Sequence, residues 1–377
     1  MTAGLRGLGI DSIVITRRLS ADVLREEFID GTKVYRIGPV GSGASRKWGM
    51  LATAFAALVR HRREYDVVYV PGFRVIGLAA VVAGKLFRKR LVFRAVSRGE
   101  MSGAFFESGL ARVPRPLRFV FGLFSKLRAA VLKRADCFVS ISSPMKDELL
   151  ACGVPEDSIV QIPNGIDPDL YRPADEDVRS GLRQTLKVPE DAFVGVYTGR
   201  LVRYKGLIPL IRGFAPFADE DRNAVLVLVG DGSNDIHNCQ QELEELVAEL
   251  GLEDSVKFAG AVDNVVDYLQ MADCFLFPTE DEAFGISLIE AMACGLPVIS
   301  TDIGGIADYL QDGENGLVIE TGDPEGISRA LERLYTRPQL REQLGERARA
   351  MVVERFSQGA VDRQYEYLFC DIAGGGA

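Results

Sequence analysis

Histidine is scarce in this chain: His61 and His237 are the only two among 377 residues. Neither stands at a ligating distance in sequence from a second candidate ligand, so no zinc site is expected and no metal is assigned. Both are expected at the surface, His61 at the exposed helix end HRRE and His237 after a loop. Paired cysteine motifs are missing as well. The six cysteines (Cys137, Cys152, Cys239, Cys274, Cys294, Cys370) contain no CxxC, and several lie in apolar runs, which predicts reduced core residues of a cytoplasmic protein. Long apolar runs are absent: stretches such as VIGLAAVVAG at 75–84 are too short to span a bilayer. The N-terminus lacks the charged segment and apolar core of a signal peptide. No internal repeat or low-complexity segment stands out beyond the AGGGA tail. With 47% hydrophobic residues and mean hydropathy near zero, the chain reads as globular, and its length predicts two or three domains.

Acidic residues are few at the start of the chain. Residues 1–150 hold 26 Lys+Arg against 12 Asp+Glu, and the remainder holds 18 against 41. Such polarity means that the two halves meet different things. The basic excess concentrates in KLFRKR at 85–90 and in the run from Arg112 to Asp136, where Arg and Lys alternate with Phe119, Phe121, Phe124 and Leu127. Two readings of that run stay open. It can be a basic amphipathic helix on an anionic membrane, each cation contributing on the order of 1 kcal/mol. Alternatively the phenylalanines pack into the first domain while the charges solvate its outside. Nucleic acid is not expected, since the acidic half would repel it and no binding motif is visible.

Strand and helix patterns alternate along the chain. SIVITRR, KVYRI, DVVYV, RLVFRAV and CFVSIS read as strands of a parallel sheet covered on both faces. IPNGIDPDLYRPADED, rich in Pro, Gly, Asn and Asp, reads as a linker. A second series follows: FVGVYTG, AVLVLVG, SVKFAGA, DCFLFPT, LPVIST and NGLVIE. The fold class is therefore α/β, with two doubly wound domains facing a cleft.

The densest chemical signal is PTEDEAFGISLIEAMACGLPVISTDIGGI at 278–306. Glu282 and Glu290 stand eight residues apart, and on one continuous helix they would point roughly 80° apart. The spacing works if Glu282 lies in the loop beside Gly285 and Glu290 sits about one turn inside the helix. The amides of Ile286 and Ser287 then face an anion such as a diphosphate. A carboxylate such as Glu290 suits the two hydroxyls of a ribose. Arg200 and Lys205, flanked by Gly199 and Gly206 at the end of the apolar run FVGVYTG, add cations where open α/β sheets bind ligands. In isolation, each of these charges would read as an ordinary solvated loop or helix-start residue.

These blocks together resemble the retaining nucleotide-sugar glycosyltransferases of GT-B fold, the group often called family four. The two glutamates match its hallmark pair. Gly199-Arg200-Leu201 with Lys205-Gly206 resembles its basic phosphate loop, LVGDGSN at 228–234 its next strand and turn, VKFAGAV at 256–262 the strand whose end receives the base, and IPNGID at 162–167 its linker. The resemblance implies a sugar transfer from a nucleoside diphosphate to a hydroxyl of a glycan or lipid-linked acceptor, in cell-envelope or exopolysaccharide synthesis. It implies that Glu282 holds hydroxyls of the donor sugar and Glu290 the ribose, while Arg200, Lys205 and the Gly285–Ser287 backbone stabilise the leaving diphosphate without a metal or cofactor. Gly199, Gly230, Val262 and Phe284 complete the donor-binding set. The domains implied are 1–168 on the acceptor side, 169–355 for the nucleotide sugar, and a last helix, 356–377, crossing back to the first. A cytoplasmic enzyme, peripheral on the membrane, follows.

The chain departs from that pattern in three places. Relatives begin with a strand and a glycine-rich loop before the strand that SIVITRR resembles, whereas MTAGLRGLGID looks like the end of a first helix. A gap or a substitute strand is therefore expected at the centre of the first sheet. No histidine stands near Phe93–Glu100, leaving Ser97, Arg98 or Glu100 as acceptor-side candidates. Asp308 replaces a glutamate and is expected at a helix start. A non-catalytic nucleotide-sugar binder is the alternative, and a sugar-nucleotide epimerase a weaker one, since neither histidine is placed for acid–base work on a sugar.

Overall fold

The computed structural model describes residues 1–41, 44–104, 115–218, 222–233 and 235–374, with side chains from 48 and from 122 onward in the helices that follow the first two breaks. The chain divides into two units, Asn164–Gln358 and Met1–Pro163 with Gly359–Ala377. Strands and helices alternate in both, as an α/β reading requires. No helix among the described residues is long and apolar enough to cross a membrane.

The first unit carries α1 (Thr2–Gly7), β1 (Ile13–Arg17), β2 (Glu26–Ile29), β3 (Thr32–Ile37), α2 (Ala44–Arg60), β4 (Val67–Pro71), α3 (Gly77–Phe87), β5 (Arg90–Arg94), α4 (Arg115–Leu132), β6 (Cys137–Ser140), α5 (Ser143–Ala151) and β7 (Ile159–Gln161). Its strands form two sheets, β1-β3-β2 and β4-β5-β6-β7. No strand comes from residues 1–10, and β1 and β4 are both terminal strands. The expected interruption is thus present, and it divides the sheet rather than being bridged by a substitute strand. The α1 helix instead packs Leu5 into a core with Val92, Cys137, Val139 and Ile162, and with Val361, Tyr365, Leu368 and Phe369 from the final helix. The β2 strand runs antiparallel to β3, which the parallel expectation missed.

The second unit carries α6 (Glu176–Thr185), β8 (Phe193–Thr198), α7 (Leu207–Ala218), β9 (Ala224–Val229), α8 (Gln240–Glu249), β10 (Val256–Gly260), α9 (Val265–Gln270), β11 (Cys274–Phe277), α10 (Ile286–Ala293), β12 (Val298–Ser300), β13 (Leu317–Val318), α11 (Pro324–Thr336) and α12 (Pro338–Phe356). The last helix, α13 (Gln358–Gly374), belongs with the first unit apart from its first residue. The second unit's six strands form one parallel sheet, β10-β9-β8-β11-β12-β13. Every residue of β8, β9, β11 and β12 is buried, because helices cover both faces of a parallel sheet. From β8 the chain winds outward through β9 to β10, then restarts at β11 on the other side. The order therefore reverses between β8 and β11, and beyond their C-terminal ends such a sheet leaves a crevice.

Two local expectations are corrected. His61 is buried, not exposed: its ring lies 4.1 Å from that of Tyr35, and its Nδ1 is 2.8 Å from Glu64 Oε1, so aromatic packing and a carboxylate replace its water. Asp308 closes the short 3₁₀ helix Gly304–Asp308 instead of starting a helix. All six cysteines are free; Cys370 is exposed, while burial pushes the Cys137 and Cys239 thiols up to about 11 and Cys294 up to about 12. Among the basic run's phenylalanines, Phe124 is half-buried with its ring 5.7 Å from Trp48, and the side chains of Phe119 and Phe121 lie outside the described residues.

Candidate active site

Gly199 and Arg200 follow the β8 strand, and a single 3₁₀ turn, Arg203–Lys205, comes next at the β8–β11 crevice. The turn closes on Gly206, whose φ is +68° and whose Cβ, if present, would stand 1.8 Å from the Pro278 carbonyl oxygen. Only glycine permits both that backbone and that approach, and it brings the loop after β8 against the loop after β11. Lys205 is consequently buried, although it is a lysine in a loop. Its Nζ donates to Glu282 Oε2 at 2.6 Å and lies 5.2 Å above the Phe277 ring and 5.6 Å above the Tyr204 ring. A cation held by a carboxylate and two aromatic faces is fixed in place before any ligand arrives.

Glu282 lies in the loop before α10. Its Oε1 accepts the amides of Ala283 at 2.9 Å and Phe284 at 3.3 Å, so the carboxylate is tethered at both oxygens. Gly285 caps α10 in the left-handed region at φ +89°, with room for no side chain because the Tyr309 hydroxyl would stand 2.8 Å from a Cβ. That hydroxyl donates to the Phe284 carbonyl at 2.8 Å and locks the turn. Ile286 and Ser287 form the helix's first turn, where amides have no acceptor within the helix, and Ile286 is exposed. The helix start and the Lys205–Glu282 pair thus lie on the two loops that flank the switch point of the sheet.

Glu290 is the fifth residue of α10, while Glu282 precedes the helix, which is the division that the spacing requires. Burial raises the Glu290 carboxyl above the ordinary glutamate range, and a hydrogen bond with Tyr171 acts in the opposite sense. The Tyr171 hydroxyl is raised in turn, by burial first and by Glu290 next. Arg200 is exposed at the rim, its guanidinium held by the Asp235 carboxylate and by the Tyr204 hydroxyl at 2.6 Å. The Gly230 amide donates to the Gly260 carbonyl at 2.8 Å, joining the loops after β9 and β10, and Val262 is half-buried just beyond. Asn234 of the LVGDGSN turn lies outside the described residues.

One residue of the expected donor set has its side chain in the core. Phe284 is buried, with its ring 5.6 Å from Tyr309 and 5.4 Å from Phe356, so its side chain supports the helix start from beneath. The first-unit candidates follow β5 and split likewise. Arg98 is exposed and Ser97 half-buried, whereas Glu100 is turned inward and only 1% exposed. Its Oε1 accepts from Ser97 at 2.9 Å and lies 3.5 Å from Arg74 Nε, and burial raises its carboxyl above the ordinary range. Glu100 is therefore turned inward as a brace for Ser97 and Arg74.

Tyr204, Asp235, Tyr171 and Tyr309 belong to the site and carried no recognised signal in the sequence. Tyr204 alone was within reach, as the aromatic next to Lys205 in RYKG. His237 was set aside as a surface residue; it is exposed, with its ring 5.7 Å from that of Tyr204, beside the group that Arg200 engages. Among the described residues, no group of three His, Cys, Asp or Glu side chains is gathered as metal ligands would be.

Two Rossmann-like units define the GT-B class of glycosyltransferases, and here the second bears a buried lysine paired with a half-buried glutamate, and a glycine-capped helix start, at its switch point. Residues 178–351 match the family profile described as Glycosyl transferases group 1, and residues 1–170 match that of Glycosyltransferase Family 4. The chain belongs to this glycosyltransferase family. It is 30% identical to a D-inositol 3-phosphate glycosyltransferase of Acidothermus cellulolyticus, over 90% of this chain and 77% of that protein. It is 32% identical to the N-acetyl-alpha-D-glucosaminyl L-malate synthase of Bacillus anthracis over 64% of this chain, and there it spans only 61% of the relative's length. HepE of Anabaena, solved in complex with UDP and glucose, shares the fold with a TM-score of 0.74 at 23% identity, over 90% of this chain and 86% of that one.

Proposed function

We propose that this chain transfers a sugar from a nucleoside diphosphate sugar to a hydroxyl of a glycan or lipid-linked acceptor, with retention of anomeric configuration, in the cytoplasm at the membrane surface. The observation that carries the reading is the Lys205–Glu282 pair at 2.6 Å across the β8–β11 switch point, beside a helix start with open amides. Departure of the diphosphate leaves charge on its oxygens. A buried ammonium and aligned helix dipoles stabilise that charge without reorganising, so the reaction needs neither a metal nor a cofactor. Glu282, tethered by two amides and Lys205, presents a fixed acceptor to the hydroxyls of the donor sugar. Glu290 accepts from the ribose, and the loops joined at Gly230 and Gly260 carry the base toward Val262. No protein nucleophile is assigned; the leaving phosphate takes the acceptor's proton on the face it vacates.

Calorimetric titration of the full chain with UDP, GDP and ADP tests the donor site. Selective binding of one nucleotide, lost in Glu290→Ala, supports the reading and names the donor class. A folded chain that binds none of them sinks it. The divided sheet of the first unit favours a second reading, a binder without turnover. Selective nucleotide binding with no sugar release or transfer from the matching donor would decide for it.

A further inference from the structure

Among the described residues, three of the first unit's long helices contain no carboxylate. The α2, α3 and α4 helices read ASRKWGMLATAFAALVR, GLAAVVAGKLF and RPLRFVFGLFSKLRAAVL, in a chain with 53 Asp and Glu. The unit's other long helices do carry acids: Asp147 and Glu148 on α5, and Asp362, Glu366 and Asp371 on α13. The acid-free helices are neighbours, α2 packing on α3 and α3 on α4, with the Trp48 and Phe124 rings 5.7 Å apart where α2 meets α4.

Their inward faces are ordinary core. Ala79, Ala80, Val81 and Ala83 of α3 are buried, and the Arg128 guanidinium of α4 is spent on the carbonyls of Arg74, Glu100 and Met101 at 2.7 to 2.9 Å. Their outward faces are apolar where solvent would favour charge. Leu123 and Leu127 are 60% and 64% exposed one turn apart on α4; Val82 and Leu86 are 54% and 62% exposed one turn apart on α3; Trp48 of α2 is 42% exposed. Between and beside them stand exposed cations: Lys126, Lys133 and Arg134 at α4, and Lys85 and Arg88 at α3. Of the carboxylates beside them, Asp66 is engaged by Lys89 at 3.3 Å and Asp136 by Arg90 at 3.4 Å, with Lys85 at 3.9 Å from the same Asp136 oxygen.

We propose that this α2–α3–α4 face is the surface by which the chain docks on an anionic lipid bilayer, with Leu123, Leu127, Val82, Leu86 and Trp48 entering the headgroup boundary and Lys126, Arg134, Lys85 and Arg88 meeting lipid phosphates. Apolar side chains flanked by cations, with acids excluded, complement a bilayer whose boundary is apolar and whose surface is negative. A protein partner of mixed charge would not require the exclusion of every carboxylate from three neighbouring helices. The face is independent of the donor chemistry and gives the membrane location proposed above a definite surface.

The test is flotation of the full chain with phosphatidylcholine vesicles, with and without phosphatidylglycerol. Binding should rise by about tenfold or more on the anionic vesicles and fall with added salt. The double variant Leu123→Glu/Leu127→Glu and the charge variant Lys126→Glu/Arg134→Glu should each lower it about tenfold at an unchanged melting temperature. Tyr367→Glu, at an exposed aromatic on α13, should bind like the unsubstituted chain. Equal binding to both vesicle types, or full binding by both double variants, overturns the proposal. So does a dimer in solution that Leu123→Glu/Leu127→Glu dissolves without any vesicle binding, which would make the face a contact between copies. Nucleotide titration of the same samples separates the two readings, because loss of donor binding leaves the vesicle result standing.

Discussion

The sheet of the second unit is one continuous parallel layer in which β8, β9, β11 and β12 are buried at every position; the first unit has two sheets, and β1 is half-buried throughout. The difference shows how each region holds its loops. In the second unit, neighbouring strand ends are fixed by a shared core, so Lys205 and Glu282 meet without flexible searching. In the first unit, side-chain braces do that work: Arg128 ties the loops after β4 and β5 through three carbonyls, and Glu148 accepts the Gly99 amide at 2.9 Å. A rigid layer suits a site that must be preorganised for charge, whereas braced loops tolerate change in what they bind.

That contrast can be broken most directly at Lys205. Lys205→Ala should lower transfer by roughly a hundredfold or more, as removal of a preorganised charge at a reacting group does, while the chain stays folded. A parallel collapse of activity and melting temperature would make Lys205 a structural residue. Next comes stability within the sheets. Leu276→Ala, at a fully buried position of β11, should cost about 3 kcal/mol, and Ile15→Ala, at a half-buried position of β1, about 1 kcal/mol, by calorimetric unfolding. Equal costs would deny that the two sheets differ in how tightly they are held. Tyr309→Phe removes only the hydroxyl that locks the turn before α10, and should cost about 1 kcal/mol while weakening nucleotide binding more than Leu276→Ala does.

The smallest effect concerns pH. Because burial raises the Glu290 carboxyl in the folded chain, the folded state binds that proton more tightly than the unfolded one. Its contribution to stability is complete below the unfolded glutamate range and is lost as pH rises through the folded value. Glu290→Gln should therefore stabilise the second unit relative to the native residue at neutral pH, and this advantage should vanish on acidification. Nucleotide binding should move the other way, being weakened by Glu290→Gln at neutral pH. A variant whose stability relative to the parent chain is independent of pH would remove Glu290 from this account.

Much of the second unit was legible because its chemistry is repetitive. A parallel strand covered on both faces must be apolar throughout, so AVLVLV and CFLF announce themselves, and each is followed by the glycines and charges of a ligand-facing loop. The β2 strand was not read, since EEFI is polar and pairs antiparallel at an edge. Its signal was nevertheless present in Asp30-Gly31, where φ values of +47° and +74° make the tight turn into β3. His61 was misplaced because its neighbours in sequence are charged, whereas its neighbours in space are Tyr35 and Glu64. Tyr171 lies 119 positions before Glu290, and periodicity carries no information about such a pairing.

What the sequence by itself determined is the set of strands apart from β2 and β7, the glycine-capped start of α10 and the placement of Glu282 before that helix and Glu290 within it, because these follow from local backbone preferences and from apolar runs that have few ways to be buried. Tertiary structure decided which charges are free and which are spent. It set Lys205 against Glu282, turned Glu100 inward, put Phe284 beneath the helix it precedes, and gathered three acid-free helices onto one face. The physical reason is that a charge or an aromatic ring takes its role from its surroundings at a few ångströms, and those surroundings are assembled from segments far apart in the chain.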